Sequence, residues 1–151
     1  LAVPARRNID NEDVLKGALL FQQVNCTGCH TPQFTTQTGD ILIGGRAAPE
    51  AIKGQTIYPF TDMLLHDMGE GLADNRRDFM ATGNEWKTRP LWGIGLTKTV
   101  NPAAGFLHDG RADNIEEAIL WHGGEAQNSK EGFMALTKTE RASLVAFVMS
   151  L

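Results

Sequence analysis

Cys26-Thr27-Gly28-Cys29-His30 is the stretch on which the reading of this chain turns. The pattern C-x-x-C-H is the attachment signature of c-type haem. Two thiols add to the porphyrin vinyl groups as thioethers, and the histidine that follows supplies the proximal nitrogen to iron. Two intervening residues let both sulfurs reach the ring from one turn of chain, and Thr27 and Gly28 are small enough to pass its edge. Other uses of the pattern fit less well. A thioredoxin-like C-x-x-C sits in a βαβ setting, and no strand-rich sequence precedes Cys26. A zinc site needs two more ligands, and the chain has no other cysteines. A disulfide across so short a loop would leave His30 unexplained. The expectation is one covalent haem c, attached at Cys26 and Cys29 with His30 below the iron.

A length of 151 residues suits one domain with its own core. Fourteen Lys+Arg against eighteen Asp+Glu give a formal charge of −4, which argues against nucleic acid or an anionic membrane as partner. No apolar run approaches about 18 residues, so no membrane span is expected. Leu1-Ala2-Val3-Pro4-Ala5-Arg6-Arg7 is not a signal peptide and no methionine leads it, so a processed chain or a segment of a longer one is expected. Covalent haem attachment itself implies export, most simply to a bacterial periplasm.

Asp10 or Asn11 can cap a helix in which Val14, Ala18, Leu19 and Phe21 recur at helical spacing. It would run to about Val24 and deliver the chain into the haem motif. Gly17 inside it costs about 1 kcal/mol against alanine, which a close helix crossing would explain. The crossing partner is the last segment, opened by Thr137 or Thr139, with Glu140 as the capping-box partner of Thr137 and Leu144, Val145, Phe147, Val148 and Leu151 following. Residues 31–58 read as loop, in which Ile41-Leu42-Ile43 forms a short strand or packs on the porphyrin. Residues 63–69 read as one or two helical turns ended by Gly69. Asp74, Arg76, Arg77 and Asp78 belong to a solvated face, and Asp109-Gly110 signals a turn. Taken together these elements predict an all-α, cytochrome c-like domain over 11–151, with long irregular loops around one haem and 1–10 as a linker or extension.

The far side of the iron decides between electron transfer and chemistry on small oxidants. His66, His108, His122, Met63, Met68, Met80, Met134 and Met149 are the residue types available. Asp113 and Glu116 can form a capping box that starts a helix at about Asn114. Along it Ile115, Ala118, Ile119 and His122 make one apolar stripe, stopped by Gly123-Gly124. A neutral imidazole on that stripe needs a partner, either the iron or a backbone carbonyl within the core. His122 is therefore the favoured sixth ligand, with Met68 and Met63 as alternatives whose other explanation is core filling. His108 reads as a pocket or propionate contact. Tyr58, Arg89, Trp92, Arg111 and Trp121 are further propionate candidates, since buried carboxylates require paired donors.

Several longer runs carry a resemblance. They are Cys26–Pro32, Thr56-Ile57-Tyr58-Pro59-Phe60-Thr61-Asp62, Leu64-Leu65-His66-Asp67-Met68-Gly69, Pro90-Leu91-Trp92-Gly93-Ile94-Gly95-Leu96-Thr97, Phe106-Leu107-His108-Asp109-Gly110-Arg111 and Glu116–Ala126. Together they resemble the C-terminal haem domain of the dihaem oxidoreductase family, whose members are often labelled thiol oxidoreductases. That family is similar to dihaem cytochrome c peroxidases and to the dihaem maturase acting on methylamine dehydrogenase. In the peroxidases the helix after the F-H-D-G-like segment carries a methionine ligand, and in the maturase a tyrosine. The matching position here is His122, so the resemblance implies bis-histidine iron. It also implies a calcium ion near the haem, although no ligand set for one is readable. The family carries two C-x-x-C-H motifs and this chain one, so the resemblance implies the electron-transfer half of such a protein. Its partner would be a redox protein or a missing second haem domain. No residue here supports the "thiol" of the label.

Two functions follow as expectations. One is an electron-transfer cytochrome domain with iron between His30 and His122. The other is a peroxidase-type enzyme with an open or displaceable sixth position, for which Glu125, Asp67 or His66 could serve as distal acid or base.

Overall fold

The computed structural model describes residues 5–151; residues 1–4 of the expected N-terminal extension lie outside the described residues. Helix α1, Glu12–Gln23, begins at Asn11, whose side-chain oxygen accepts from the N–H groups of Asp13 (2.9 Å) and Val14 (3.2 Å). Glu12 and Asp13 add negative charge at the positive end of the helix dipole. Its buried face is Val14, Gly17, Leu20 and Phe21, whereas Leu19, expected on the apolar stripe, stands exposed. Asn25, at φ 61, then turns the chain through the left-handed region and ends the helix.

Helix α5, Lys138–Ser150, opens with the anticipated capping box of Thr137 and Glu140. It buries Leu144, Phe147 and Val148, and Leu151 follows them into the core. It crosses α1 at Gly17, where a Cβ would overlap the Ser143 carbonyl oxygen and stand 2.7 Å from Phe147 Cβ. Ser143 Oγ donates to Asp13 at 3.0 Å across the same crossing. Ahead of α1, the Arg7 N–H donates to Ser150 O at 2.8 Å, and its guanidinium donates to the Met149 and Leu151 carbonyls. Three shorter helices, α2 (Thr97–Val100), α3 (Ile115–Trp121) and α4 (Gln127–Ala135), complete the helical part. Phe133 of α4 is fully buried. No helix of the described residues is long and apolar enough to cross a membrane.

The protein is not all-α. It is 41% helical, short 3₁₀ turns included, with 12% strand, which makes it a mixed α/β fold. Strands β1 (Phe34–Thr35) and β4 (Thr56–Ile57), β2 (Leu42–Ile43) and β3 (Arg46–Ala47), and β5 (Leu65–Asp67) and β6 (Glu85–Lys87) form three antiparallel pairs. The reason lies in the backbone. A long stretch without helical periodicity must still pair its N–H and C=O groups, and neighbouring loop segments supply the partners. Gly44 and Gly45, at φ 59 and 78, make the two-residue turn that folds β2 onto β3. Leu42 and Ile43 are strand as anticipated, yet both are exposed.

The helical turns expected over 63–69 are likewise absent. Thr61 Oγ1 accepts from the Met63 N–H at 3.0 Å and Asp62 from the Leu64 N–H at 2.9 Å. Those side-chain bonds hold Met63 at φ 64 and straighten the chain into β5.

Candidate functional site

The C-x-x-C-H motif forms a 3₁₀ turn over Cys26–Gly28, closed by the His30 N–H donating to the Cys26 carbonyl at 3.0 Å. Both cysteines are free and partly buried. Burial, reinforced by neighbouring Cys29, pushes the Cys26 thiol up to about 12. Burial also raises Cys29, with Asp62 and Glu125 adding to it. Thiols held neutral are poor nucleophiles for disulfide exchange.

His30 Nδ1 lies 3.0 Å from the Phe60 carbonyl. A carbonyl only accepts, so this bond assigns the proton to Nδ1 and leaves Nε2 with its lone pair. Burial lowers the pKa of His30 to about 4 in spite of that bond, so the imidazole is neutral at pH 7. The Phe60 carbonyl is aimed by an unusual backbone, φ 53, that a bulky residue adopts only when its surroundings impose it. The Phe60 ring packs on Phe21 at 6.3 Å and Phe147 at 5.8 Å between centroids. Beside it, the Thr61 N–H donates to Thr31 O at 3.0 Å, and the buried Thr61 hydroxyl donates to Thr88 O at 2.7 Å.

His122 sits where α3 ends. The cap of α3 is Asn114, whose side chain accepts from the Glu117 N–H, while Glu117 in turn accepts from the Asp113 N–H at 2.7 Å. The cap is thus one residue later than the expected Asp113, and Glu117 reaches back to Asp113 and not to the capping residue, so the expected Asp113–Glu116 box does not form. Ile115 and Ala118 are buried and Ile119 packs beside them. His122 Nδ1 lies 2.7 Å from the Ala118 carbonyl, and burial lowers its pKa. It repeats the His30 arrangement: a neutral ring, Nδ1 on a backbone carbonyl, and Nε2 without a partner among the described residues. A charge on His122 would lower the pKa of His30 further, which places the two rings within electrostatic reach.

The other two histidines differ. His66 holds Asp62 at 2.8 Å through Nε2 and Glu125 at 2.8 Å through Nδ1. Its pKa is raised, chiefly by the bond to Glu125; burial acts against that, and the bond to Asp62 and the charges of both carboxylates add to the rise. His108 stacks on Trp86, with 4.3 Å between centroids and 28° between planes, and its Nε2 reaches the Lys87 carbonyl at 3.3 Å.

Tyr58 and Trp92 line one cleft of about 280 Å³ with Arg6, Thr56, Ile57 and Leu151, and neither His30 nor His122 lines it. Arg89 is exposed. Arg111 is occupied: its guanidinium pairs with Asp109 at 2.7 Å, donates to Gly71 O at 2.6 Å and covers the Trp121 ring at 5.1 Å. Met63 is exposed, and Met68, partly buried, donates its N–H to the Asn84 carbonyl at 2.9 Å.

Among the described residues, Cys29, Asp62 and His66 alone have three metal-ligand atoms mutually within 4.8 Å. Both nitrogens of His66 already face carboxylates, so no lone pair is left for a metal, and calcium would want oxygens in place of the thiol and imidazole. Sequence reasoning did not single out Phe60, Asp62 or Thr61. A phenylalanine gives no sign of a left-handed backbone, Thr61 acts through Thr88, which is distant in sequence, and Asp62 joins the site only once Glu125 has closed on His66.

The donor set fits a covalently bound haem. Two thiols share one turn with a neutral imidazole, and a second buried imidazole, His122, leaves its Nε2 unpaired among the described residues. All of the chain, residues 1–151, matches a family model described as "Di-haem oxidoreductase, putative peroxidase". No curated protein and no solved structure matches it.

Proposed function

This chain belongs to the di-haem oxidoreductase family over its whole length, and from that membership, which implies a haem-related redox role, we propose that it is a c-type electron-transfer domain with one covalent haem. Cys26 and Cys29 would attach it, and His30 and His122 would hold the iron. The observation that carries this reading is the repeated arrangement of the two imidazoles. Each donates Nδ1–H to a backbone carbonyl, Phe60 at 3.0 Å and Ala118 at 2.7 Å, and burial keeps each neutral. Outer hydrogen bonds of this kind fix the tautomer and orientation of a ligating histidine and raise its basicity.

When bound, the haem supplies a centre that takes up and returns one electron. The protein's part is to hold Nε2 of both rings in place before and after that exchange. Phe60 and Ala118 do so through main chain, and the Phe60 ring is set in a cluster with Phe21 and Phe147. The partner is a second haem domain or a separate redox protein in an exported compartment such as the periplasm, because the family is di-haem and this chain has one attachment motif.

Electronic absorption of the purified protein tests the assignment. The ferric state should be low-spin, without the charge-transfer band of a methionine–iron bond, and His122→Ala should convert it to high spin or recruit a methionine. A spectrum indifferent to His122→Ala would refute the ligand pair. A ferric wild type that is high-spin and binds cyanide rapidly would favour the peroxidase reading.

A further inference from the structure

The turn that follows His122 is fastened to β5 at contacts too close for side chains. A Cβ on Gly124 would overlap the Asp67 carbonyl oxygen and stand 2.7 Å from Gly69 N, and one on Gly123 would stand 3.0 Å from Met68 O. Glu125 completes the fastening. Its Oε1 accepts the Asp67 N–H at 2.9 Å, and its Oε2 faces His66 Nδ1 at 2.8 Å. Through Nε2, His66 then meets Asp62 Oδ2 at 2.8 Å, while Asp62 Oδ1 accepts the Leu64 N–H. Asp62 lies two residues beyond Phe60, whose carbonyl holds His30. The contacts therefore run between the two histidine-bearing segments, 92 positions apart in the chain (122 − 30).

We propose that His66 and Glu125 are positioning residues that clamp His122 opposite His30, and that this clamp must loosen before an external ligand can replace His122. The inference rests on the bis-histidine reading above. Two carboxylates facing one imidazole require two N–H donors, and only the doubly protonated ring supplies both. Loss of one proton turns an N–H into a lone pair pointed at an anion. The groups facing His66 are Asp62 on its own loop, Glu125 on the 124–126 turn and Cys29, whose sulfur lies within 4.8 Å of both His66 and Asp62; His30 senses the charge on His66, and Glu85 of β6 lies within electrostatic range of Glu125.

The signs agree along the whole clamp. His66 is raised by Glu125 first and by Asp62. Glu125 is lowered, chiefly by His66 and by the Asp67 N–H. Burial acts to raise Asp62, but bonds from Leu64, His66 and Thr88 outweigh it and leave it lowered. The clamp is complete between the depressed carboxylates and the raised imidazole, and it weakens as pH rises through the His66 value.

The test is the rate of cyanide binding to the ferric holoprotein against pH, with the spin state read alongside. Wild type should bind slowly at pH 7 and faster on the alkaline side. Glu125→Ala removes an exposed side chain, so the variant should fold. It should bind roughly tenfold faster at pH 7, as expected for losing a charge-assisted bond, with the alkaline rise flattened. His66→Phe should do the same. Rates and pH profiles equal to wild type in both variants would overturn the clamp while leaving the ligand pair standing. A ferric spectrum unchanged by His122→Ala would overturn both.

Discussion

Gly17 sits where α1 and α5 come closest, and adding one methyl group there tests how the attachment motif is carried. In Gly17→Ala the new Cβ overlaps the carbonyl oxygen of Ser143, with Ser143 C at 2.6 Å and Phe147 Cβ at 2.7 Å. The first obstacle is main chain, which cannot rotate aside, so the helices must part. Overpacking of this kind costs about 1–3 kcal/mol, and a backbone obstacle puts the change at the upper end. Alanine recovers about 1 kcal/mol of helix propensity, which leaves a net loss of about 2 kcal/mol. For a chain of this length each kcal/mol moves the midpoint by about 2–4 °C, so Tm should fall by roughly 4–8 °C.

Gly132→Ala in α4 is the control. Its nearest contact is Val24 Cβ at 3.1 Å, with the nearest main-chain atom at 3.7 Å, a far milder obstacle than at Gly17, so Tm should move by much less than in Gly17→Ala. The assay is thermal unfolding of the holoprotein followed by far-ultraviolet circular dichroism. A Gly17→Ala protein melting at or above wild type would refute the close crossing.

Two further outcomes are expected. Thr61→Val keeps the shape of a fully buried side chain but leaves the Thr88 carbonyl and the Met63 N–H without their partner; it should cost about 2–3 kcal/mol in denaturant unfolding, and a loss under about 0.5 kcal/mol would remove Thr61 from the support of the His30 loop. Stability of the haem-free chain should also fall on the acid side: His30, with its pKa lowered to about 4 from 6.5, binds fewer protons than the unfolded chain between those values, so its contribution, at most about 3 kcal/mol, is present above about 6.5 and lost as pH falls towards 4. Denaturant midpoints at pH 7, 5.5 and 4 measure this, and a flat profile would contradict the buried neutral imidazole.

Helices α1 and α5 were legible because their signals are local. Asn11 and the Thr137–Glu140 box lie within four residues of the N–H groups they satisfy, and the need of Gly17 for a close neighbour is written in its own lack of a side chain. The stripe ending at His122 was legible for the same reason, since Ile115 and Ala118 share a face by helical geometry alone. The cap one residue later than expected shows the limit, because Asp113 and Asn114 are equally good capping types. The strands were not legible. Pairs of two or three residues carry no periodicity, and Phe34 meets Ile57 only because the intervening loop returns. The Leu64-Leu65-His66 run misled for a related reason: apolar residues next to a glycine stop imitate a helix until Thr61 and Asp62 take the backbone bonds.

By itself the sequence determined which chemistry is on offer. Thiol spacing, the adjoining imidazole and the helical stripe are set by covalent order and by periods of a few residues. Tertiary structure alone decided how each histidine is held. His30 and His122 become neutral rings with Nε2 free because burial and a distant or local carbonyl act together. His66, equally histidine in sequence, becomes a charged strut because Asp62 and Glu125, 63 positions apart (125 − 62), are folded onto its two nitrogens. Protonation depends on the dielectric and the partners around a group, and neither exists until the chain has closed on itself.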